Sequence, residues 1–231
     1  MAAMTGDFSP LGEGLAALGI PAERVLPLLV KYVEEIELFN PAYGLVKVRD
    51  RRELIVKHIL DSLAPFDIIG RLLDESRPCS NPRKPQIADV GSGAGLPGIP
   101  LAICMPGAEF TLIERMGRRA GFLRDALAVL SLPNVRVEEA EMEQINVGAA
   151  GEGLFDLVVF RAFKPLDSAL LKDLFRLLAP GGMLAAYKGR RESVEEEMAR
   201  LSLTGAWEIL PVEVPFLDEE RHLAIIDKNS K

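Results

Sequence analysis

The sequence of 231 residues has only two cysteines, Cys79 and Cys104, and two histidines, His58 and His222. The cysteines stand in no motif with each other or with a histidine. That excludes a disulfide framework and a zinc site and points to a reducing compartment. The apolar stretch around Leu96 to Met105 is too short and too broken by proline to span a bilayer. Met1 to Pro10 lacks the basic and apolar regions of a signal peptide. A cytoplasmic protein with no membrane partner is the expectation. Positive charge is also in deficit: the net charge is −7, which does not favour nucleic acid as a bulk partner. Cations nevertheless cluster, at Arg49, Arg51, Arg52 and Lys57, at Arg115, Arg118, Arg119 and Arg124, and at Lys188, Arg190 and Arg191. Gathered on one face they would make a local electrostatic footprint; scattered, they are solvated faces.

What is present describes one large domain or a domain with a small extension, with 48% hydrophobic and 26% charged residues. Apolar positions at three- and four-residue steps predict a helix over Ala22 to Phe39, disturbed at Pro27 and broken at Asn40-Pro41. A second helix is predicted from about Arg52 to Leu73, divided at Pro65. Ser76 to Lys84 reads as a linker, so residues 1–84 form a helical cap and residues 85–231 the main domain. From Gln86 strands and helices alternate. Strands fall at Ile87–Val90, Glu109–Ile113, Val135–Glu138, Leu154–Phe160 and Met183–Tyr187, the last after a Pro180-Gly181-Gly182 turn. Trp207–Val214 and His222–Ile226 then form a hairpin. Alternation implies a mostly parallel, doubly wound α/β sheet with ligands beyond the carboxyl ends of its strands.

The chain is organised around Asp89-Val90-Gly91-Ser92-Gly93-Ala94-Gly95-Leu96-Pro97-Gly98. A strand that ends in glycines and feeds a helix start is a nucleotide-type cradle. A dinucleotide turn wants its third glycine at position 96, where this chain has Leu96; it comes one residue early, at Gly95. No Gly-Lys-Ser/Thr follows, which excludes a P-loop. Asp89 suits a cofactor with a cationic end, such as S-adenosylmethionine, better than a pyrophosphate. Glu114 closes the second strand, where an acid accepts both ribose hydroxyls. Met142 and Glu143 follow the third strand, placed to flank an adenine. An antiparallel hairpin closing such a sheet is the usual finish of the Rossmann-like S-adenosylmethionine-dependent methyltransferase fold, here seven-stranded with an N-terminal helical extension.

Arg161-Ala162-Phe163-Lys164-Pro165 follows the fourth strand, on the edge that faces the acceptor in that fold. Neither Asn/Asp-Pro-Pro-aromatic nor a nucleophilic cysteine is there. A cation and an aromatic ring are, and they can hold a phosphate and stack on a base. A ring nitrogen with a free lone pair, such as guanine N7, needs no base to deprotonate it before attack. His58 lies three residues from Asp61 on one helical face, as a proton relay or, the preferred reading, as packing between cap and domain. His222 reads as structural.

Five segments, Lys57-His58-Ile59-Leu60-Asp61-Ser62-Leu63, the glycine stretch from Asp89 to Gly98, Arg161-Ala162-Phe163, Tyr187-Lys188-Gly189 and Glu220-Arg221-His222-Leu223, occur in that order. In this the sequence resembles the RsmG (GidB) family of bacterial 16S rRNA guanine-N7 methyltransferases, over roughly residues 22–227. The chain departs from the family's usual Asn-Leu-Thr at Gly44-Leu45-Val46, and keeps a carboxylate at Glu114. The resemblance implies S-adenosylmethionine as donor, a 16S rRNA guanine in the small ribosomal subunit as acceptor, and cofactor contacts at Gly91, Leu96, Met142, Glu143 and Arg161. With Asp89, Gly93 and Glu114 these make the expected pocket, and Arg161 is the expected catalytic residue. Lys164, Lys188, Arg190, Arg191 and Arg221 are the expected RNA contacts, no metal is expected, and the protein is expected to be a monomer. Methyl transfer to another acceptor, a non-catalytic S-adenosylmethionine sensor and a nicotinamide oxidoreductase are the alternatives.

Overall fold

The computed structural model describes residues 7–76, 83–148, 153–161, 166–201 and 206–228. Five parallel strands follow the predicted runs: β1 (Gln86–Val90), β2 (Glu109–Ile113), β3 (Val135–Glu138), β4 (Phe155–Arg161) and β5 (Leu178–Lys188). β6 (Trp207–Pro211) and β7 (His222–Asp227) form the antiparallel hairpin, with β7 inserted beside β5. The order is β3-β2-β1-β4-β5-β7-β6, the expected seven-stranded, mostly parallel sheet. Strand order reverses at β1 and β4, which opens a crevice beyond their carboxyl ends.

Side chains alternate across the sheet as the pleat requires. Ile87, Leu157, Val159 and Ala185 enter one apolar layer; Ala88, Val158, Phe160 and Leu184 enter the other. The first is covered by α6 (Gly98–Cys104) and α7 (Gly117–Leu130), and outside them by α1 (Ser9–Ala17) and α2 (Ala22–Tyr43). The second is covered by α8 (Ser168–Leu177) and α9 (Arg191–Leu201). α8 shows why such segments are helices: Asp167 accepts the Leu170 N–H at 2.8 Å as its cap, and Leu170, Leu171, Leu174 and Leu177 fall on one stripe. Each buried leucine stabilises by about 2 kcal/mol. Leu174, fully buried, is the position where truncation to alanine costs most, about 2–5 kcal/mol.

Four local expectations change. α2 runs through both prolines to Tyr43. Pro27 and Pro41 are exposed, and the helix ends only where Gly44 turns left-handed at φ +59° and donates to the Asn40 carbonyl at 2.8 Å. The second helix divides at Pro65 as predicted, into α3 (Arg51–Leu54), α4 (Asp61–Leu63) and α5 (Phe66–Glu75), but Ile55–Leu60 between α3 and α4 is a π-helical turn. β5 starts at Leu178, ahead of the Pro-Gly-Gly turn, because Leu178 pairs with Phe155 across a bulge before regular pairing resumes at Leu157 and Met183. β6 stops at Pro211, beyond which Val212 and Arg221 close the hairpin.

Candidate functional site

Gly91, Gly93 and Gly95 have φ of +70°, +58° and +89°, a region that side chains disfavour. At Gly95 sterics add to this, since a Cβ would lie 2.5 Å from Ile99. The turn closes on itself and on β2: Gly91 and Ser92 donate to the Ile113 carbonyl, and Gly95 and Leu96 to the Ser92 carbonyl. Tyr32, fully buried on α2, donates its hydroxyl to the Ala94 carbonyl at 2.6 Å, so the cap holds the turn in place.

The cradle is glycine backbone rather than an open helix end. Gly98, the first residue of α6, donates its N–H to Asp89 Oδ2 at 2.9 Å. Asp89 is fully buried beneath the turn, behind the wall of the crevice, and its Oδ1 has no hydrogen-bond partner among the described residues. Burial pushes its carboxyl up to about 7. Glu114, also buried, accepts from Gly93 N at 2.9 Å and from Met116 N at 2.8 Å. Each of its oxygens keeps a second lone pair for a ligand hydroxyl. Met142 and Glu143 lie on a 3₁₀ turn, Met142–Gln144, which Arg176 fixes by donating to the Met142 and Ile145 carbonyls at 2.7 Å.

These groups line two hollows. Gly91, Glu114, Met142 and Glu143 border one of about 490 Å³. Gly91, Gly93, Leu96 and Arg161 border another of about 520 Å³. The two meet at Gly91 and Arg119.

Arg161 ends β4 beside Tyr187 of β5. Its Nη1 donates to Asp61 Oδ2 at 2.7 Å and to the Lys57 and His58 carbonyls, and its Nη2 lies 3.3 Å from His58 Nδ1. The second Asp61 oxygen accepts from Arg221 Nε at 2.9 Å. One buried carboxylate therefore holds two arginines, Arg161 at the end of β4 and Arg221 just before β7. Burial and the adjacent Arg161 cation bring His58 down to about 4, so its ring is neutral at physiological pH. Tyr187 completes the junction, its hydroxyl donating to the Ser62 carbonyl at 2.9 Å.

The expected RNA contacts are more dispersed. Lys188 donates to both oxygens of Glu197, at 2.8 and 2.9 Å. Arg221 is held by Asp61 and by Glu219, and Arg191 by Glu195 at 2.7 Å. Arg190 is exposed, two residues beyond the end of β5. Lys164, with Ala162 and Phe163, lies outside the described residues. Sequence reasoning did not single out Asp61 as a double acceptor, or Arg119 where the hollows meet. The signals were there: Asp61 shares a helical face with His58, and Arg119 belongs to the second basic cluster.

The family profile described as "GidB: rRNA small subunit methyltransferase G" matches residues 26–224. The chain is 40% identical over 222 residues to a ribosomal RNA small subunit methyltransferase G of Treponema pallidum, covering 94% of this chain and 92% of that one. It is 39% identical over 234 residues to the protein of that name from Xanthomonas campestris, covering 99% of each. Among solved structures, a SAM dependent methyltransferase from Aquifex aeolicus superposes with a TM-score of 0.52 at 16% identity, over 72% of this chain and 90% of that one. A predicted O-methyltransferase from Agrobacterium tumefaciens gives 0.52 at 26% identity, over 69% and 81%.

Proposed function

The chain belongs to the GidB family of rRNA small subunit methyltransferases, and from that membership we propose that it methylates guanine N7 in 16S rRNA with S-adenosylmethionine as donor. The observation that carries the reading is the pair of hollows joined at Gly91. One offers an acid and a thioether for an adenosine; the other offers glycine backbone and leads to cations at the ends of β4 and β5. Together they have the volume of a cofactor site with room for an acceptor base.

The residues fit the donor. Glu114 would accept from the ribose hydroxyls, Met142 would pack against the adenine, and Glu143 would supply polarity at its edge. Gly91, Gly93 and Leu96 let the methionine portion lie against the main chain. Asp89 acts from behind, holding α6 to the turn. Bound there, S-adenosylmethionine supplies an electrophilic methyl group. The protein's part is to exclude water and hold guanine N7 in line with that methyl; N7 carries no proton, so no general base is required. Arg161, clamped by Asp61 and two carbonyls, lines the hollow beside the glycine turn and would orient the base against the donor. The helices before residue 85 serve as a cap that fixes the glycine turn and Arg161. The protein works as a monomer in the cytoplasm.

The test is methyl transfer from radiolabelled S-adenosylmethionine to small subunits from cells lacking the enzyme, followed by identification of the labelled base. Label in 7-methylguanine is expected. Cofactor binding without label in RNA would leave the donor assignment standing and overturn the acceptor.

A further inference from the structure

We infer that Lys47, Arg118 and Arg119 hold the phosphate backbone of the acceptor RNA, on the rim where the segment after α2 meets the start of α7. The inference rests on RNA being the acceptor, as proposed above. It begins from which cations at the larger hollow still have charge to offer. Lys57 is bound by Glu53 at 3.3 Å and Glu219 at 2.9 Å. Arg161 and Arg221 share Asp61, and Lys188 has Glu197. Lys47 and Arg119 also line this hollow, and among the described residues neither has a carboxylate within 4.0 Å.

Arg118 extends this pair into a track. It is exposed, again with no carboxylate partner among the described residues, and its guanidinium lies over the Tyr43 ring, 5.3 Å from the centroid. Tyr43 ends α2, four residues before Lys47, so the cation–π contact ties the α7 cluster to the segment that carries Lys47. Stacking holds the guanidinium plane while leaving its N–H groups at the edge for a phosphate. Leu45 and Val46 continue the wall into the hollow.

The partner chemistry follows. Lys47 and Arg119 line the hollow while Arg118 lies outside its lining, so the three cations extend beyond one pocket and fit successive phosphates of a strand better than a single small anion. Around Arg191 and Arg221, by contrast, Glu219 and Glu220 sit among the arginines and leave less net attraction. On a chain of net charge −7, attraction is concentrated where cations are left unneutralised.

The experiment measures binding to small subunits lacking the modification between roughly 50 and 200 mM salt, beside calorimetric titration with S-adenosylmethionine. For the variant carrying Lys47→Gln and Arg118→Gln, the slope of log affinity against log salt should shrink by about two, one per lost phosphate contact, with cofactor affinity unchanged. Arg119→Gln should reduce the slope by about one. A charge-matched control, Arg24→Gln with Lys31→Gln, sits at least about 18 Å from Tyr43 along α2 and should leave the slope alone. An unchanged slope in the Lys47/Arg118 variant, or a slope that responds instead to Arg190→Gln with Arg191→Gln, would overturn the assignment. Loss of cofactor affinity without a slope change in Arg119→Gln would give that residue's anion to the cofactor carboxylate and remove it from the RNA track. Failure of the wild type to methylate small subunits at all is a separate result, against the acceptor reading itself.

Discussion

Asp89 titrates at about 7 rather than near 3.8 because the glycine turn and α6 seal it from water. Between those two values the folded chain keeps a proton that the unfolded chain has lost, so this group's contribution to stability falls as pH rises. His58 has the opposite sign. Its pKa is lowered to about 4 from 6.5, so the unfolded chain binds the extra proton and the contribution is lost as pH falls across that window. In the wild type the two slopes offset each other. Asp89→Asn should therefore make stability climb with pH from 4 to 7 relative to the wild type, by up to about 1.4 kcal/mol per pH unit. His58→Gln should tilt the curve the other way between 4 and 6.5. Urea unfolding at half-unit steps of pH reads both, and parallel curves for all three proteins would sink the account. Asp61 is the other residue with high stakes. Asp61→Ala strands two arginines at a buried junction and should cost about 3–5 kcal/mol, while Asp61→Glu should recover part of it. A loss within 1 kcal/mol would mean that solvent already screens the pair.

At the scale of the element, the glycine turn and α6 are locked by a fit that allows no extra atom. A Cβ on Gly98 would lie 2.4 Å from Leu112 Cδ2 and 2.7 Å from Asp89 Oδ2. Gly98→Ala should cost about 1–3 kcal/mol and weaken S-adenosylmethionine binding by displacing the turn. Gly107→Ala, where a Cβ meets nothing within 4 Å, should be neutral or stabilising by up to about 1 kcal/mol. Equal melting temperatures for the two variants would show that the turn yields without cost. The turn was legible in the sequence because φ > 0 and close packing both demand glycine, and β1 to β4 were legible from their apolar runs. Other features resisted reading. Pro41 looked like a helix end, but the helix stops where Gly44 can turn left-handed, which depends on backbone geometry a few residues on. The π turn left a faint trace, since Leu54/Ile55 and Ile59/Leu60 are apolar pairs five apart, whereas α-helical spacing is three or four. That extra residue helps bring the carbonyls of Lys57 and His58 to Arg161, a contact across about a hundred residues of sequence that no local pattern encodes.

At the scale of the molecule, the sequence divides naturally near residue 84, yet one apolar layer runs across that point. Leu29, Val33 and Ile36 of α2 belong to the same buried cluster as Ile99, Ile103, Phe122 and Leu123. Phe39 meets Phe122 edge-on with centroids 5.6 Å apart. Tyr32 reaches the glycine turn and Ser62 receives Tyr187, so the helical layer also anchors both halves of the crevice. A chain beginning at residue 85 would uncover α6 and α7. Exposing even part of four such side chains, at roughly 2 kcal/mol each, removes an amount comparable with the 5–15 kcal/mol that holds an ordinary domain together. That truncated chain should therefore lack a cooperative unfolding transition, and adding S-adenosylmethionine should not restore one. Far-ultraviolet circular dichroism through a urea titration is the measurement. A sharp transition within about 2 kcal/mol of the full chain would mean that the sheet and its own helices suffice, and that the N-terminal helices only cover the site rather than build it.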